Sequence, residues 1–218
     1  MKIFLDSAHV ETIRRLSFLI DGVTTNPTTL SSYGTNPTQL VRNICELLDQ
    51  RDVSIEVTMK DPGDLLKQAR AIAALAPNVV VKVPCHEPYY ALIKALVKET
   101  VRVNVTLVFS LAQAVLMAKL GVAYISPFVG RWSDAGVDGI EILHQMRKVF
   151  DRYSFQTQIL AASIRDVYQF ELALCAGVDA ITLPPAVLEL AMVHPLTKQG
   201  MDKFDFDWRK LGDMEFPL

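Results

Sequence analysis

The 218-residue chain has only three cysteines, Cys45, Cys85 and Cys175, an odd number with no C-x-x-C spacing. A disulfide framework and a cysteine-built zinc or redox centre are therefore not expected. Its four histidines, His9, His86, His144 and His194, are scattered and form no H-E-x-x-H, so no metal site is expected. The ten glycines never assemble a G-x-G-x-x-G or a G-x-x-x-x-G-K, which argues against the common nucleotide loops, and no G-x-S-x-G marks a serine nucleophile. Neither sign of charge is in excess. Lys plus Arg number 22 and Asp plus Glu 24, a net charge of −2, whereas an electrostatic nucleic-acid binder needs a basic surplus. No apolar run reaches the ~18 residues of a membrane span. The opening MKIFLDSAHVE meets Asp6 and Glu11 too early for a signal-peptide core, so a soluble, cytoplasmic protein is expected. There is also no low-complexity tract or Gly/Ser linker to divide the chain, and one domain over 1–218 is expected.

What is present is a rhythm. Short runs rich in Val, Ile and Thr occur at 2–6 (KIFLD), 22–25 (GVTT), 53–58 (VSIEVT), 79–84 (VVVKVP), 102–106 (RVNVT), 123–128 (AYISPF), 157–161 (TQILA) and 180–183 (AITL). They are bounded by Gly, Pro, Asn or Asp and read as eight strands. Helical patterns alternate with them at 10–20, 36–49, 61–76, 110–120 and 166–175. Asn36-Pro37, Asp61-Pro62 and Ser110 are N-cap signals, and Gly121 and Gly177 are C-cap signals. Eight strand–helix units predict a single α/β domain, a closed (β/α)8 barrel of the TIM type. An open doubly wound sheet is the alternative, but the first turn, Asp6-Ser7-Ala8-His9, lacks the glycine such folds carry there. Beyond strand eight, Met201, Phe204, Trp208 and Leu211 fall at helical spacing and predict an additional C-terminal helix over about 198–211. Its apolar stripe would pack on this barrel or on a neighbour's.

Barrels of this kind build their sites at the C-terminal ends of the strands. Those ends offer Asp6, Asn26, Glu56, Lys82, Asn104 with Thr106, Ser126 with Arg131, and Ser163 with Arg165. Most such residues, taken singly, are turn formers or caps. Lys82 is different, because it interrupts a run that reads as wholly buried, and a buried amine is costly unless paired or neutral. One reading is a long stem reaching water. The other is a desolvated amine of lowered pKa, suited to imine formation with a carbonyl, with Asp6 and Glu56 to move protons. Arg131 and Arg165, on adjacent late strands, suit a phosphate, or are simply exposed. Cys85-His86 would point apart on a strand and so make a poor nucleophile pair.

Several motifs carry a family resemblance: LDSA (5–8), GVTTNPT (22–28), VVVKVP (79–84), VNVTLVFS (103–110), ISPFVGR (125–131), AASIR (161–165), ITLPP (181–185) and the closing HPLT…G…F…DW (194–208). In order and over nearly the whole chain they resemble the transaldolases, in particular the short single-barrel subfamily that also holds the fructose-6-phosphate aldolases. The resemblance implies Lys82 as the Schiff-base nucleophile. Glu56 and Thr106 would assist through a water, and Asp6 would exchange a proton with the C4 hydroxyl. Asn26, Asn104 and Ser126 would hold the dihydroxyacetone unit, and Arg131, Ser163 and Arg165 the phosphate. It implies sugar-phosphate substrates, no cofactor and a homo-oligomer, a ring or decamer. Within the family, transaldolases carry Glu and Phe where this chain has Glu56 and Phe128, whereas the aldolases tend to carry Gln and Tyr. Transaldolase is thus the expectation, with an aldolase releasing dihydroxyacetone, or a non-catalytic sugar-phosphate binder, as alternatives. Two loops depart from the family pattern: Cys85-His86-Glu87-Pro88, and Trp132-Ser133-Asp134.

Overall fold

The structure, a computed structural model, describes residues 1–32 and 36–212. Eight parallel strands close into a barrel in sequence order. They are β1 (Lys2–Asp6), β2 (Gly22–Thr24), β3 (Asp52–Glu56), β4 (Val79–Pro84), β5 (Val103–Val108), β6 (Tyr124–Pro127), β7 (Gln158–Ala161) and β8 (Ala180–Leu183). Helices lie between them, and β1 pairs with β8 to complete the circle. The expected (β/α)8 architecture is thus observed. Residues 33–35 and 213–218, which the expected domain span includes, lie outside the described residues.

Strand alternation sorts the side chains into two cores. Leu5, Val23, Val53, Val81, Val105, Ile125, Ile159 and Ile181 face outward and pack under the helices. Phe4, Val80, Tyr124, Leu160, Ala162 and Ala180 form a separate cluster inside the barrel. Both faces are covered, which is why VVVKVP reads as a continuous apolar run. Each fully buried Val, Leu or Ile contributes roughly 1.5–3 kcal/mol. The interior is tight at Gly22, where an added Cβ would lie 1.9 Å from Phe4 Cε1 and 2.5 Å from the Asp52 carbonyl oxygen.

The helix signals act as read. Asn36, Asp61, Ser110 and Asp166 accept backbone N–H bonds as N-caps, and Gly121 ends its helix with φ 83°. Some boundaries differ. Strand β3 stops at Glu56 rather than residue 58, because the N–H groups of Thr58 and Met59 donate to the Gln68 side chain instead of the sheet. Strand β5 runs on to Val108 through a register shift against β6, with Leu107 at φ 57°. The first helix ends at Leu16, where Ser17 caps it, although Ile20 is still buried. The C-terminal helix spans Pro195–Arg209, capped by His194, and none of its residues is buried. Its stripe therefore does not pack into this barrel. Among the described residues no helix is long and apolar enough to cross a membrane.

The N-terminal end of the barrel is closed by charge. Asp52 receives a two-pronged contact from Arg102, including Nη2 to Oδ2 at 2.6 Å, and a 2.6 Å hydrogen bond from the Tyr124 hydroxyl. That hydroxyl accepts one from Lys2 Nζ at 3.0 Å. Burial alone would raise the Asp52 carboxyl, but the Arg102 and Tyr124 hydrogen bonds and the Arg102 charge hold it below its ordinary value. Burial, and then Asp52, push the Tyr124 phenol up, so it stays protonated and donates. Removing this donor in Tyr124→Phe is expected to cost about 1–2 kcal/mol in urea unfolding at neutral pH. Because the folded-state value of Asp52 is depressed, its contribution is present above the ordinary carboxylate range and lost as pH falls through the depressed value. The difference between variant and parent should therefore narrow on acidification, and a constant difference would refute the assignment.

Candidate active site

At the opposite end the same alternation aims polar groups inward. Glu56 and Lys82 are cross-strand partners in the β3–β4 register. Lys82 is 6% exposed, with its Nζ 2.9 Å from Glu56 Oε2 and donating to the Thr25 carbonyl at 3.2 Å. The buried amine is thus paired rather than extended to water. Removing one partner of such a pair strands a charge, at about 3–5 kcal/mol.

Asp6 ends β1 beside this pair. Asn26 Nδ2 donates to its Oδ1 at 3.3 Å, and the Thr24 hydroxyl also bonds it. Burial raises the Asp6 carboxyl above its ordinary value. The Lys82 charge and the Thr24 hydrogen bond oppose the rise, and the Glu56 charge adds to it. Asn26 is also a helix cap, with a reciprocal capping box to Thr29 that fixes its position. Thr24 in turn shares a 2.7 Å hydrogen bond with Thr182 of β8. The Thr106 hydroxyl is buried with no partner among the described residues.

These groups line one cavity of about 390 Å³. Of the eleven residues picked out from the sequence, ten line it: Asp6, Asn26, Glu56, Lys82, Thr106, Ser126, Phe128, Arg131, Ser163 and Arg165. Asn104 does not. It is wholly buried below, donating to Ser54 Oγ at 3.2 Å and accepting from Ser126 Oγ at 2.7 Å. It lies two residues before Thr106 on β5, where it meets Ser126 rather than the cavity. Sequence reasoning missed Thr24, Thr28, Thr29 and Leu107 in the wall. Inward alternation from Gly22 marks Thr24, but nothing local marks Leu107, which owes its position to the β5 irregularity.

The far wall is built by close backbone approach. The N–H groups of Val129 and Gly130 donate to the carbonyls of Ala162 and Ser163, each at 2.9 Å. A Cβ on Gly130 would lie 2.2 Å from the Ser163 carbonyl oxygen and 2.5 Å from Arg165 Nε, so only glycine permits this contact. Arg165 is tied by its N–H to Gln169 Oε1 and by its guanidinium to Asp134, both at 3.0 Å. Arg131 lies with Cζ 5.2 Å from the Phe128 ring centroid. Two guanidiniums and a serine at one end of a cavity suit a phosphate. Cys85 and His86 line a neighbouring pocket, not this one. Burial pushes the Cys85 thiol up, which makes it a poor nucleophile.

Fold and site together define a (β/α)8-barrel protein with a buried lysine–carboxylate centre and a cationic recess. The chain belongs to the transaldolase/fructose-6-phosphate aldolase family, whose sequence model matches residues 3–215. Among curated relatives, a probable transaldolase of Bartonella tribocorum is 44% identical over 214 residues, covering 97% of this chain and 98% of that one. Probable transaldolases of Paracoccus denitrificans (44%) and Dehalococcoides mccartyi (45%) match over the same 97% of this chain, and over 98% and 99% of their own lengths. Of solved structures, a thiamine phosphate pyrophosphorylase of Pyrococcus furiosus superposes with TM-score 0.61 at 17% identity, covering 85% of this chain and 86% of that one. At that identity the likeness is one of fold.

The Thr24 hydrogen bond favours the ionised form of Asp6. Thr24→Val is therefore expected to raise the Asp6 carboxyl further, as read by a carbon-13 NMR titration of its carboxyl carbon. An unmoved or lowered titration would contradict this network.

Proposed function

We propose that the protein is a transaldolase, moving a dihydroxyacetone unit from a ketose phosphate (fructose 6-phosphate or sedoheptulose 7-phosphate) to an aldose phosphate (glyceraldehyde 3-phosphate or erythrose 4-phosphate). The observation that carries this reading is the buried Lys82 Nζ, 2.9 Å from Glu56, in a cavity that also holds Asp6 and two arginines.

Glu56 takes the ammonium proton, and the freed Lys82 amine attacks the C2 ketone. The carbinolamine loses water, with protons passing between Glu56, the Thr106 hydroxyl and a water, and leaves a protonated imine. The Asp6 carboxylate removes the C4 hydroxyl proton. The C3–C4 bond breaks, C4 leaves as an aldehyde, and the electron pair flows into the imine to give a neutral enamine. The enamine carbon then attacks the acceptor aldehyde. Asp6 returns its proton to the new hydroxyl, and water hydrolyses the imine to restore the amine. The raised Asp6 carboxyl suits this exchange, since its proton affinity moves closer to neutrality. In this reading Asn26 and Ser126 hold hydroxyls of the three-carbon unit, with Asn104 behind Ser126. Arg131, Ser163 and Arg165, which line the same cavity, hold the phosphate in this reading. Glu56 and Phe128 favour transfer over the aldolase alternative, in which free dihydroxyacetone leaves. The implied setting is the cytoplasm and the non-oxidative pentose phosphate pathway.

Borohydride added with fructose 6-phosphate should fix a three-carbon adduct on Lys82, located by peptide mass mapping. Lys82→Met should lose both the adduct and activity, the latter by on the order of 10³-fold or more. Absence of the adduct in the parent would overturn the imine mechanism, and appreciable free dihydroxyacetone without an acceptor would favour the aldolase.

We also infer a homo-oligomer, a ring or decamer. The helix Pro195–Arg209 presents Met201, Phe204 and Trp208 of its apolar stripe on the surface, and such a stripe calls for a partner surface. Light scattering should find a multiple of the 24.3 kDa chain mass, and a clean monomer would refute this.

A further inference from the structure

Arg131 and Arg165 are held in different ways. Arg165 is braced by Asp134 and Gln169. The Arg131 guanidinium makes no hydrogen bond or ion pair with the described residues, and it lies over the face of Phe128. A guanidinium held only by a ring face goes where that ring goes. The tilt of Phe128 therefore sets where Arg131 points.

Phe128 is itself fixed from behind. The Phe109 ring meets it edge-on, with centroids 6.0 Å apart and planes at 63°. Phe109 in turn meets Trp132 at 6.3 Å and 84°. Its main chain is clamped on both sides: its N–H donates to Gln113 Oε1 at 2.8 Å, and its carbonyl accepts from Trp132 Nε1 at 3.3 Å. The register shift that carries β5 to Val108 brings Phe109 to this position. Phe109 and Trp132 do not line the cavity, whereas Phe128 and Arg131 do. The order of contact is thus Trp132, Phe109, Phe128, Arg131.

We propose that Phe109 is a positioning residue for phosphate recognition, holding the Phe128 ring in the tilt that aims the otherwise unbraced Arg131 at the substrate's phosphate. This rests on the phosphate role given to Arg131 under the proposed function. It assigns a role to Trp132, one of the loop residues that depart from the family pattern. The indole N–H fixes the Phe109 carbonyl, a bond that an aliphatic side chain could not make. It also assigns recognition to a residue outside the cavity wall.

The test separates phosphate binding from imine chemistry. Glucitol 6-phosphate has no ketone and cannot form an imine, so its affinity, measured by calorimetry, reports the phosphate recess. Dihydroxyacetone has no phosphate, so borohydride trapping of it at Lys82 reports the imine centre. Edge-to-face pairs are worth enough that Phe109→Leu should weaken glucitol 6-phosphate binding about five-fold. Phe109→Tyr, which keeps the ring, should retain parental affinity. Both variants should trap dihydroxyacetone at the parental rate. Parental affinity in Phe109→Leu overturns the proposal. So does an equal loss in both measurements, which marks general damage to the site. If the parent itself binds no glucitol 6-phosphate, the phosphate role of Arg131 fails first and the positioning role falls with it.

Discussion

One rung of sheet register sets the buried lysine–carboxylate pair of this protein. Glu56 on β3 and Lys82 on β4 are paired neighbours, and their charged atoms meet inside a closed barrel where water is scarce. A shift of β4 by one residue would turn Lys82 out among the helices and bring a valine in. The closed sheet forbids that slip, because each strand has neighbours on both sides and an apolar set to keep in each core. The barrel's stability and the position of its amine are one constraint.

The two ends of the barrel treat buried charge in opposite ways. At the N-terminal end Asp52, Arg102, Tyr124 and Lys2 satisfy one another, and the Asp52 carboxyl falls below its ordinary value. At the C-terminal end there are two carboxylates to one ammonium. Asp6 is left with the weaker share, and burial raises it. Satisfied charge locks a structure, whereas under-satisfied charge is poised to exchange protons. The same alternation of side chains thus supplies a satisfied base and a mouth whose Asp6 carboxyl is raised.

The sequence was informative where one element decides the outcome. Strand runs, caps and the odd position of Lys82 within VVVKVP are all local, and the structure places these features as their patterns imply. What was not legible depends on how elements meet. The β5 register shift, which sets Leu107 and Phe109, has no local signal because it arises between two strands. Asn104 and Thr106 share a face, yet only Thr106 reaches the cavity, since depth along a strand is set by the stagger of its neighbours. The C-terminal stripe was visible, but periodicity does not say which surface will cover it.

In the proposed reading, the cationic recess is how a chain of net charge −2 would receive an anion. The Arg165–Asp134 pair is solvent-exposed on both sides, and such pairs are worth little, about 0–1 kcal/mol. On that reading a phosphate would take over the contact at small cost, while Asp134 holds Arg165 beforehand. Arg131 is kept in place by a ring, which offers no oxygen to compete with the incoming phosphate. One cation is held by an exchangeable anion and the other by a neutral face. Gly130 sets their spacing by bringing the two loops within hydrogen-bonding distance. Affinity built this way depends on placement rather than on net charge, and it needs no basic surface that would also attract nucleic acid.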